Sequence, residues 1–116
     1  MTRIASLVLA LLLQQPANVN VAGEWAAQLA LPLGDTNFTM FLNQKGTELS
    51  GYILNESGQF DLKGSVSKDQ VKFQWDYPDG GKILTITFNG KLEGRALSGV
   101  AKVGNVGEGM MYAQRK

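Results

Sequence analysis

The amino-acid sequence predicts an all-β protein, in which an N-terminal leader precedes one small eight-stranded antiparallel up-and-down β-barrel. Beyond the leader, apolar and polar residues alternate with a period of two, the pattern of strands with one buried face. Turn residues, glycine above all, return about every 8–12 positions, a spacing typical of sandwiches and barrels. No segment after the leader shows the periodicity of an amphipathic helix. A two-sheet β-sandwich is the alternative fold, because the same alternation serves both architectures.

The leader, assigned to residues 1–22, has the features of a secretory signal peptide. Arg3 supplies a positive charge close to the start, and residues 4–13 follow without a charged side chain. This apolar run is too short for a membrane-spanning helix, which needs about 20 residues. A positive start, a short apolar run and small residues at its exit are typical of exported proteins. We therefore expect the mature protein to be secreted or periplasmic.

Two cleavage points are consistent with this leader, one after Ala17 and one after Ala22. Neither has a small residue at the −3 position, which is Gln15 in the first case and Asn20 in the second. A buried N-terminal helix and an uncleaved membrane anchor are the alternative interpretations. No later stretch is long and apolar enough to cross a membrane, so we expect no membrane association after cleavage.

Charge and cysteine content limit the partners and the stabilising bonds expected of the remaining single domain, residues 23–116. The chain has 11 basic and 10 acidic residues, and loss of Arg3 with the leader leaves a formally neutral domain. Nucleic acids and anionic membranes both select basic surfaces, so neither is an expected partner. The chain has no cysteine, so packing and strand pairing must stabilise the domain without disulfides.

The first four strands are separated by clusters of turn residues. They are predicted at residues 23–31, 38–44, 48–54 and 59–66. The turns are Gly34 to Asn37, the Lys45-Gly46 pair, in which glycine supplies a positive φ, and Asn55 to Gly58. The side chains on the apolar faces are Trp25, Ala27, Leu29, Leu31, Phe38, Met40, Leu42, Leu49, Gly51, Ile53, Phe60, Leu62, Gly64 and Val66.

The last four strands follow the same pattern. They are predicted at residues 70–77, 82–92, 96–103 and 108–115. The run Pro78 to Gly81 is a strong turn, and Asn89-Gly90 within the longer sixth strand is predicted to mark a bulge. The apolar faces of the fifth and sixth strands carry Val71, Phe73, Trp75, Tyr77, Leu84, Ile86 and Phe88.

A weak internal repeat favours the barrel over an open sheet. The segment Leu42 to Gly51 resembles Leu92 to Gly99 with a longer turn, so a strand–turn–strand hairpin recurs along the chain. A repeated hairpin means that each strand pairs with the next. Pairing of the first strand with the eighth would remove both exposed edges. The interior of such a barrel holds either packed side chains or one small ligand.

The two ends of this meander resemble the lipocalin and avidin-like (calycin) barrels. Gly23-Glu24-Trp25 on the first strand and Arg115 at the end of the last are similar to the Gly-x-Trp…Arg signature of that group. The resemblance implies that Trp25 closes one end of the barrel and that Arg115 packs over it. The chain is short for a lipocalin and lacks the usual flanking helix, so an avidin-like or minimal barrel fits better. The biotin-contacting pattern of avidins is not found, so the resemblance does not imply that this chain binds biotin.

The residue types present argue against an enzyme. The chain has no histidine and no cysteine, which excludes Ser-His-Asp and Cys-His catalysis and the ordinary zinc and haem sites. Asp76 and Asp79 are close in sequence, but a solvent-facing strand position and a turn are ordinary places for aspartate. We therefore predict no catalytic residue, no metal ligand and no cofactor.

Five residues form the candidate ligand-binding set: Trp25, Phe73, Trp75, Tyr77 and Arg115. The four aromatic residues project to the inner faces of their strands, where they either fill the core or line a pocket at a barrel mouth. Arg115 either packs over Trp25 or is an ordinary terminal charge. The predicted function is that of an exported, non-enzymatic barrel that binds a small apolar or amphipathic ligand at its mouth.

The alternative function is that of a protein-interaction module, either a periplasmic inhibitor or a surface assembly subunit. Phe41, Tyr52 and Leu54 face away from the inner side of their strands and are candidate surface contacts. Bacterial metalloprotease inhibitors are similar exported barrels with a free N-terminal arm. Residues 18–21 would be such an arm if cleavage followed Ala17, although those inhibitors carry a disulfide and this chain has none. The oligomeric state stays open.

Overall fold

A computed structural model describes residues 18–32 and 34–116. Its eight strands are β1 (Gly23–Leu31), β2 (Gly34–Lys45), β3 (Glu48–Asn55), β4 (Gly58–Ser67), β5 (Gln70–Asp79), β6 (Lys82–Glu93), β7 (Ala96–Val103) and β8 (Gly107–Arg115). Each strand pairs antiparallel with the next, and β1 pairs with β8 to close the barrel. The predicted up-and-down barrel is confirmed, and the sandwich alternative is wrong. Of the leader predicted over residues 1–22, residues 1–17 lie outside the described residues.

The main correction to the predicted strands is at the start of β2. The run Gly34 to Asn37, predicted to be a turn, instead extends β2 and pairs residue by residue with the end of β1. Asp35 faces outward, and its Oδ2 accepts a 3.4 Å hydrogen bond from Gln28 Nε2. The longer β2 lets the backbone groups at the end of β1 pair, and an unpaired backbone group is costly wherever water is excluded.

The predicted bulge at Asn89-Gly90 is also wrong. The register of β6 runs without interruption against both of its neighbours, and Gly90 lies opposite Gly99 of β7. A Cβ atom added at Gly90 would overlap the carbonyl oxygen of Ser98 and the ring of Phe88. Glycine is therefore needed here because two strands and an aromatic ring approach closely, not because an extra residue is inserted.

The core is the inside of the barrel, and its middle is filled. No polar or charged residue among those described is buried. The Phe73 ring lies at the centre of an aromatic stack, with centroid distances of 4.9 Å to Phe88 and 6.0 Å to Trp75. The Phe38 ring packs 5.7 Å from Trp75. Fully buried aliphatic and methionine side chains surround this stack: Met40, Ile53, Val66, Val71, Leu97 and Met111.

The two ends of the barrel differ in what covers them. The β2–β3, β4–β5 and β6–β7 turns lie at the end where β1 begins, which we call the closed end. The other four turns lie at the opposite end, which we call the open end. No helix in the part of the chain that the structure describes is long and apolar enough to span a membrane.

Candidate functional site

Trp25 and Arg115 lie together at the closed end, on residues that pair directly in the β1–β8 register. The Trp25 side chain is fully buried, and its Nε1 donates a 2.9 Å hydrogen bond to the carbonyl oxygen of Val21. The guanidinium carbon of Arg115 lies 4.8 Å from the centroid of the Trp25 ring, within the range of a cation–π contact. This is the arrangement that the resemblance to calycin barrels implies for these two residues.

The chain before β1 crosses the closed end and is held there by side chains of the barrel. We call residues 18–22 the N-terminal segment. Gln44 donates from Nε2 to the carbonyl of Val19, and its Oε1 accepts from the backbone N–H of Val21. Arg115 donates to the carbonyl oxygens of Asn20 and Ala22, at 2.6 and 3.1 Å.

The far end of the N-terminal segment is also bound. The N–H of Val19 donates to the carbonyl of Lys68, and the N–H of Lys68 donates to Oδ1 of Asn18. Val21 is fully buried in the core. In the structure this segment is therefore part of the barrel and not a free arm of the kind that inserts into a protease cleft.

Among the described residues, none covers the open end in this way, and an apolar cavity, which we call the cup, lies there. Its volume is about 300 Å³. It is lined by Leu29, Leu31, Thr36, Phe38, Ile53, Asn55, Trp75, Tyr77, Asp79, Leu84, Ile86 and Val103. Trp75 is only 4% exposed and lies where the cup meets the packed middle of the core. Leu31, Tyr77 and Leu84 are only partly buried.

A polar cavity adjoins the cup on one side, and we call it the notch. It has a volume of about 350 Å³ and is lined by Asp35, Thr36, Asn37, Asn55, Glu56, Ser57 and Tyr77. Three of these residues, Thr36, Asn55 and Tyr77, also line the cup. The Tyr77 ring packs 5.2 Å from the Phe60 ring, and its hydroxyl lies 3.1 Å from Ser57 Oγ. Tyr77 thus presents an apolar ring to the cup and a polar atom to the notch.

The structure divides the five predicted ligand-binding residues among three places. Trp75 and Tyr77 line the cup. Phe73 is in the middle of the core and 2% exposed, while Trp25 and Arg115 are at the closed end. The cup therefore brings together two of the five, and the other three have packing roles in the structure.

Several cup residues were absent from the predicted site. Leu29, Leu31, Leu84 and Ile86 are predicted to lie on the inward faces of their strands, which the structure confirms, whereas no side is predicted for Val103. The direction of each strand, which the sequence does predict, separates these cup residues from the other inward-facing residues. In a closed meander, odd-numbered strands all run towards one end, so inward residues late in β1 and β5 share that end with those early in β6.

The three predicted surface residues lie together on the outer wall. Phe41 and Tyr52 are cross-strand partners, and their rings stack with centroids 4.7 Å apart. Leu54 is 43% exposed and lines a shallow groove of about 540 Å³ that continues over Ala26 to Tyr112 on β8. We call Phe41, Tyr52, Leu54 and Tyr112 the wall patch.

Most of the wall around this patch is uncharged. The outward side chains of β8, β1, β2 and β3 that carry no charge are Met110, Tyr112, Gln114, Ala26, Gln28, Ala30, Asn37, Thr39, Phe41, Asn43, Ser50, Tyr52 and Leu54. The charged exceptions nearby are Glu24, which pairs with Phe41, Asp35, which pairs with Ala30, and Glu56 at the end of the groove. The wall of β4 and β5 has charges of both signs, such as Asp61, Lys63 and Lys72. The outer surface is thus chemically asymmetric.

Comparison with known proteins assigns no relative to this chain. A scan of known protein families finds none that matches, and a search of curated proteins finds no match either. Residues 18–32 and 34–116 hold no group of three or more acidic side chains placed to bind a metal ion.

Proposed function

We propose that this protein is an exported, non-enzymatic barrel that binds a small apolar or amphipathic ligand in the cup. The observation that supports this most directly is the contrast within one interior. The barrel is packed from the closed end up to Trp75, and beyond it an apolar cavity of about 300 Å³ opens to solvent. That volume is at the lower end of the range for small-molecule sites, about 300–1,000 Å³.

The lining of the cup fits this role. Apolar side chains supply most of the surface, and a few polar groups at one side can fix the orientation of a ligand. The ring and hydroxyl of Tyr77 lie at the boundary between the two environments. An amphipathic ligand would place its apolar part beside Trp75 and its polar part beside Tyr77.

The leader and the closed end support the compartment and the family likeness. A signal-type leader favours a secreted or periplasmic protein. The packing of Arg115 over Trp25 favours a lipocalin-like or avidin-like barrel, a group in which one end is closed in this way. The N-terminal segment favours cleavage after Ala17, because cleavage after Ala22 would remove the buried Val21.

Displacement of a neutral fluorophore tests the binding proposal. The protein is titrated with N-phenyl-1-naphthylamine, which is bright in apolar sites, and the probe is then displaced with decanol. Leu84→Lys puts a charge at the cup, and we expect it to weaken probe binding by about tenfold or more, since an unpaired charge is costly in an apolar site. Ile83→Lys is the matched control, because Ile83 is the preceding residue on β6 and is 71% exposed on the outside.

Two results would count against the proposal. One is a probe that stays dark with the unmodified protein, and the other is an equal loss of binding in the two lysine variants. Thermal unfolding of each variant is recorded first, so that a lost site is not confused with a lost fold. Leu31→Lys, on β1 on another side of the cup, repeats the test if the Leu84 variant does not fold.

Assembly through the wall patch is a second candidate function, and it goes with the interaction-module interpretation. The specific observation is that Leu54 and Tyr112 are exposed, and Phe41 and Tyr52 partly exposed, on a wall with few charged side chains. A second copy of this chain is the occupant we propose, because a patch of uncharged side chains can meet its own copy with little like-charge repulsion. A closed barrel has no free strand edge for pairing, so association has to use such a face.

The mass of the protein in solution tests this second candidate. Light scattering after size exclusion is expected to give the mass of a dimer or larger assembly, and Leu54→Lys with Tyr112→Lys is expected to give a monomer. Gln74→Lys with Thr87→Lys is the matched control, because these two residues pair across β5 and β6 and face solvent on another wall. A monomer at all accessible concentrations would exclude self-association.

A further inference from the structure

We infer that the ligand of the cup is an amphiphile with a cationic head, such as an alkyl or aryl amine or a quaternary ammonium compound. This inference rests on the proposed binding function and adds the chemical class of the polar group. It depends on where the cup opens and on which charges surround the opening.

The cup and the notch form one continuous site of mixed polarity. They share Thr36, Asn55 and Tyr77, so a molecule whose apolar part fills the cup has its other end beside the notch. The remaining notch residues are all polar or acidic. The head group of a bound amphiphile is therefore recognised by the notch and by the adjoining edge of the cup.

The charged residues that line this site all have the same sign. Asp35 and Glu56 line the notch, and Asp79 lines the cup. No lysine or arginine is among the residues that line either cavity. Lys82 lies opposite Asp79 in the β5–β6 register, but the two side chains do not form an ion pair. A cation at the opening would therefore lie near side chains of the opposite charge.

The ion pairs found among the described residues are elsewhere. Lys116 pairs with Glu24 at 2.8 Å, and Lys91 pairs with Glu93 at 3.5 Å, both at the closed end. Since the domain after the leader is formally neutral, the acidic character of the opening is local and not a property of the whole surface. Local potential of one sign at a cleft attracts ligands of the opposite sign.

The uncharged groups at the opening also suit a cation. The ring of Tyr77 offers a cation–π surface at the boundary of the cup. The side-chain oxygens of Asn37 and Asn55 are acceptors for an N–H donor. An anionic head would meet the same acidic side chains, and neither cavity has a basic side chain in its lining to offset them.

The expected effect is moderate, because the carboxylates are solvent-exposed. Exposed ion pairs are individually weak and are screened by salt. The combined potential of the acidic side chains at the opening should make the affinity for a cationic amphiphile about tenfold higher than for the anionic one with the same chain, equivalent to about 1.4 kcal/mol.

Three probes with one chain length test the inference: decyltrimethylammonium, decyl maltoside and decyl sulfate, each used below its micelle concentration. Their dissociation constants are measured on the full domain by displacement of N-phenyl-1-naphthylamine. We expect the ammonium probe to bind most tightly and the sulfate probe most weakly. Raising the salt concentration from roughly 0.01 M to 1 M shortens the Debye length from about 30 Å to 3 Å and should remove most of the difference.

Two triple variants separate the local effect from net charge. Asp35→Asn with Glu56→Gln and Asp79→Asn should abolish the preference for the ammonium probe. The control is Glu48→Gln with Asp61→Asn and Asp69→Asn, which neutralises the same residue types at positions that line neither the cup nor the notch and should keep the preference.

Each alternative outcome has one meaning. Equal affinity for the three probes, or loss of the preference in both triple variants, overturns the cationic assignment and leaves the cup as a site for an apolar chain. Tighter binding of the sulfate probe overturns it as well. Failure of every probe to bind overturns the proposed function itself.

Discussion

Removing the N-terminal segment should destabilise the barrel by a large part of its total stability. The test compares a chain that begins at Asn18 with one that begins at Gly23, the two products of the cleavage points that the sequence leaves open. The shorter chain keeps all eight strands. It loses the contacts that residues 18–22 make with the closed end, and the free energy of these contacts can be estimated from the structure.

Three contributions dominate. Val21 is fully buried, and burial of a valine side chain contributes about 1.5–3 kcal/mol. The buried Nε1–H of Trp25 loses its acceptor, which costs about 1–3 kcal/mol unless water replaces it. Arg115 loses two carbonyl acceptors near the surface, worth about 1 kcal/mol together. We expect a loss of about 3.5–7 kcal/mol, against a typical stability of about 5–15 kcal/mol for a whole domain.

Urea unfolding followed by tryptophan fluorescence and far-UV circular dichroism measures the difference. A difference below about 1 kcal/mol would refute the reasoning, because it would mean that the N-terminal segment does not contribute to the core. Val21→Ala in the longer chain isolates the largest contribution and should cost about 2 kcal/mol. Val106→Ala is its control, since Val106 is 71% exposed and its truncation should change stability by less than about 0.5 kcal/mol.

The other predictions also concern the barrel wall and its closed end. Trp25→Ala should cost about 3–5 kcal/mol or more and leave the domain largely unfolded by circular dichroism, because it removes a fully buried ring and the surface on which Arg115 packs; a variant with an unchanged melting temperature would contradict this. Gly64→Ala should lower the melting temperature, because its Cβ would overlap the carbonyl oxygen of Lys72 and the Cα of Phe73, with a cost of about 1–3 kcal/mol. Gly107→Ala has open space around it and should melt like the unmodified protein.

The strands and the barrel closure were predictable because period-two patterning reports which face is buried. The sides predicted for Trp25, Phe73 and Trp75 are all confirmed by their burial. Closure of the first strand on the eighth placed Trp25 and Arg115 on neighbouring strands, and the register shows that the two residues pair directly. When each strand pairs with its neighbour in sequence, the pattern of buried and exposed residues is therefore enough to predict the order of the strands in the sheet.

The ends of β2 and the packing at Gly90 were not predictable in the same way. Gly34 to Asn37 has the composition of a turn, but pairing with the end of β1 overrides local propensity. Glycine is needed at position 90 because β7 and the Phe88 ring approach it closely. The local sequence does not show which groups will approach a residue in the folded barrel. Both predictions were wrong because they were based on the local sequence, whereas pairing between strands determines these two features.

The candidate site was predicted only in part, because alternation gives the face of a residue and not its depth along the barrel. Trp25 and Trp75 both face inward on odd-numbered strands, yet one is near the start of β1 and the other towards the end of β5. They are consequently placed towards opposite ends. The polar notch was missed because Asp35, Asn37 and Glu56 have the composition of ordinary turns.

This separation of the two ends implies that stability and binding can be changed independently. The closed end contributes to stability through the N-terminal segment that covers it, through hydrogen bonds and through the packing of Arg115 on Trp25. The cup, in contrast, has apolar side chains that stay partly exposed. Partly exposed apolar surface contributes less to stability than it would if it were covered, so a ligand that fills the cup should raise the melting temperature by mass action. Val21→Ala should lower the melting temperature and leave the dissociation constant of the probe unchanged. Leu84→Lys should weaken binding, and in the double variant the two effects should add, as they do for sites with no shared contacts.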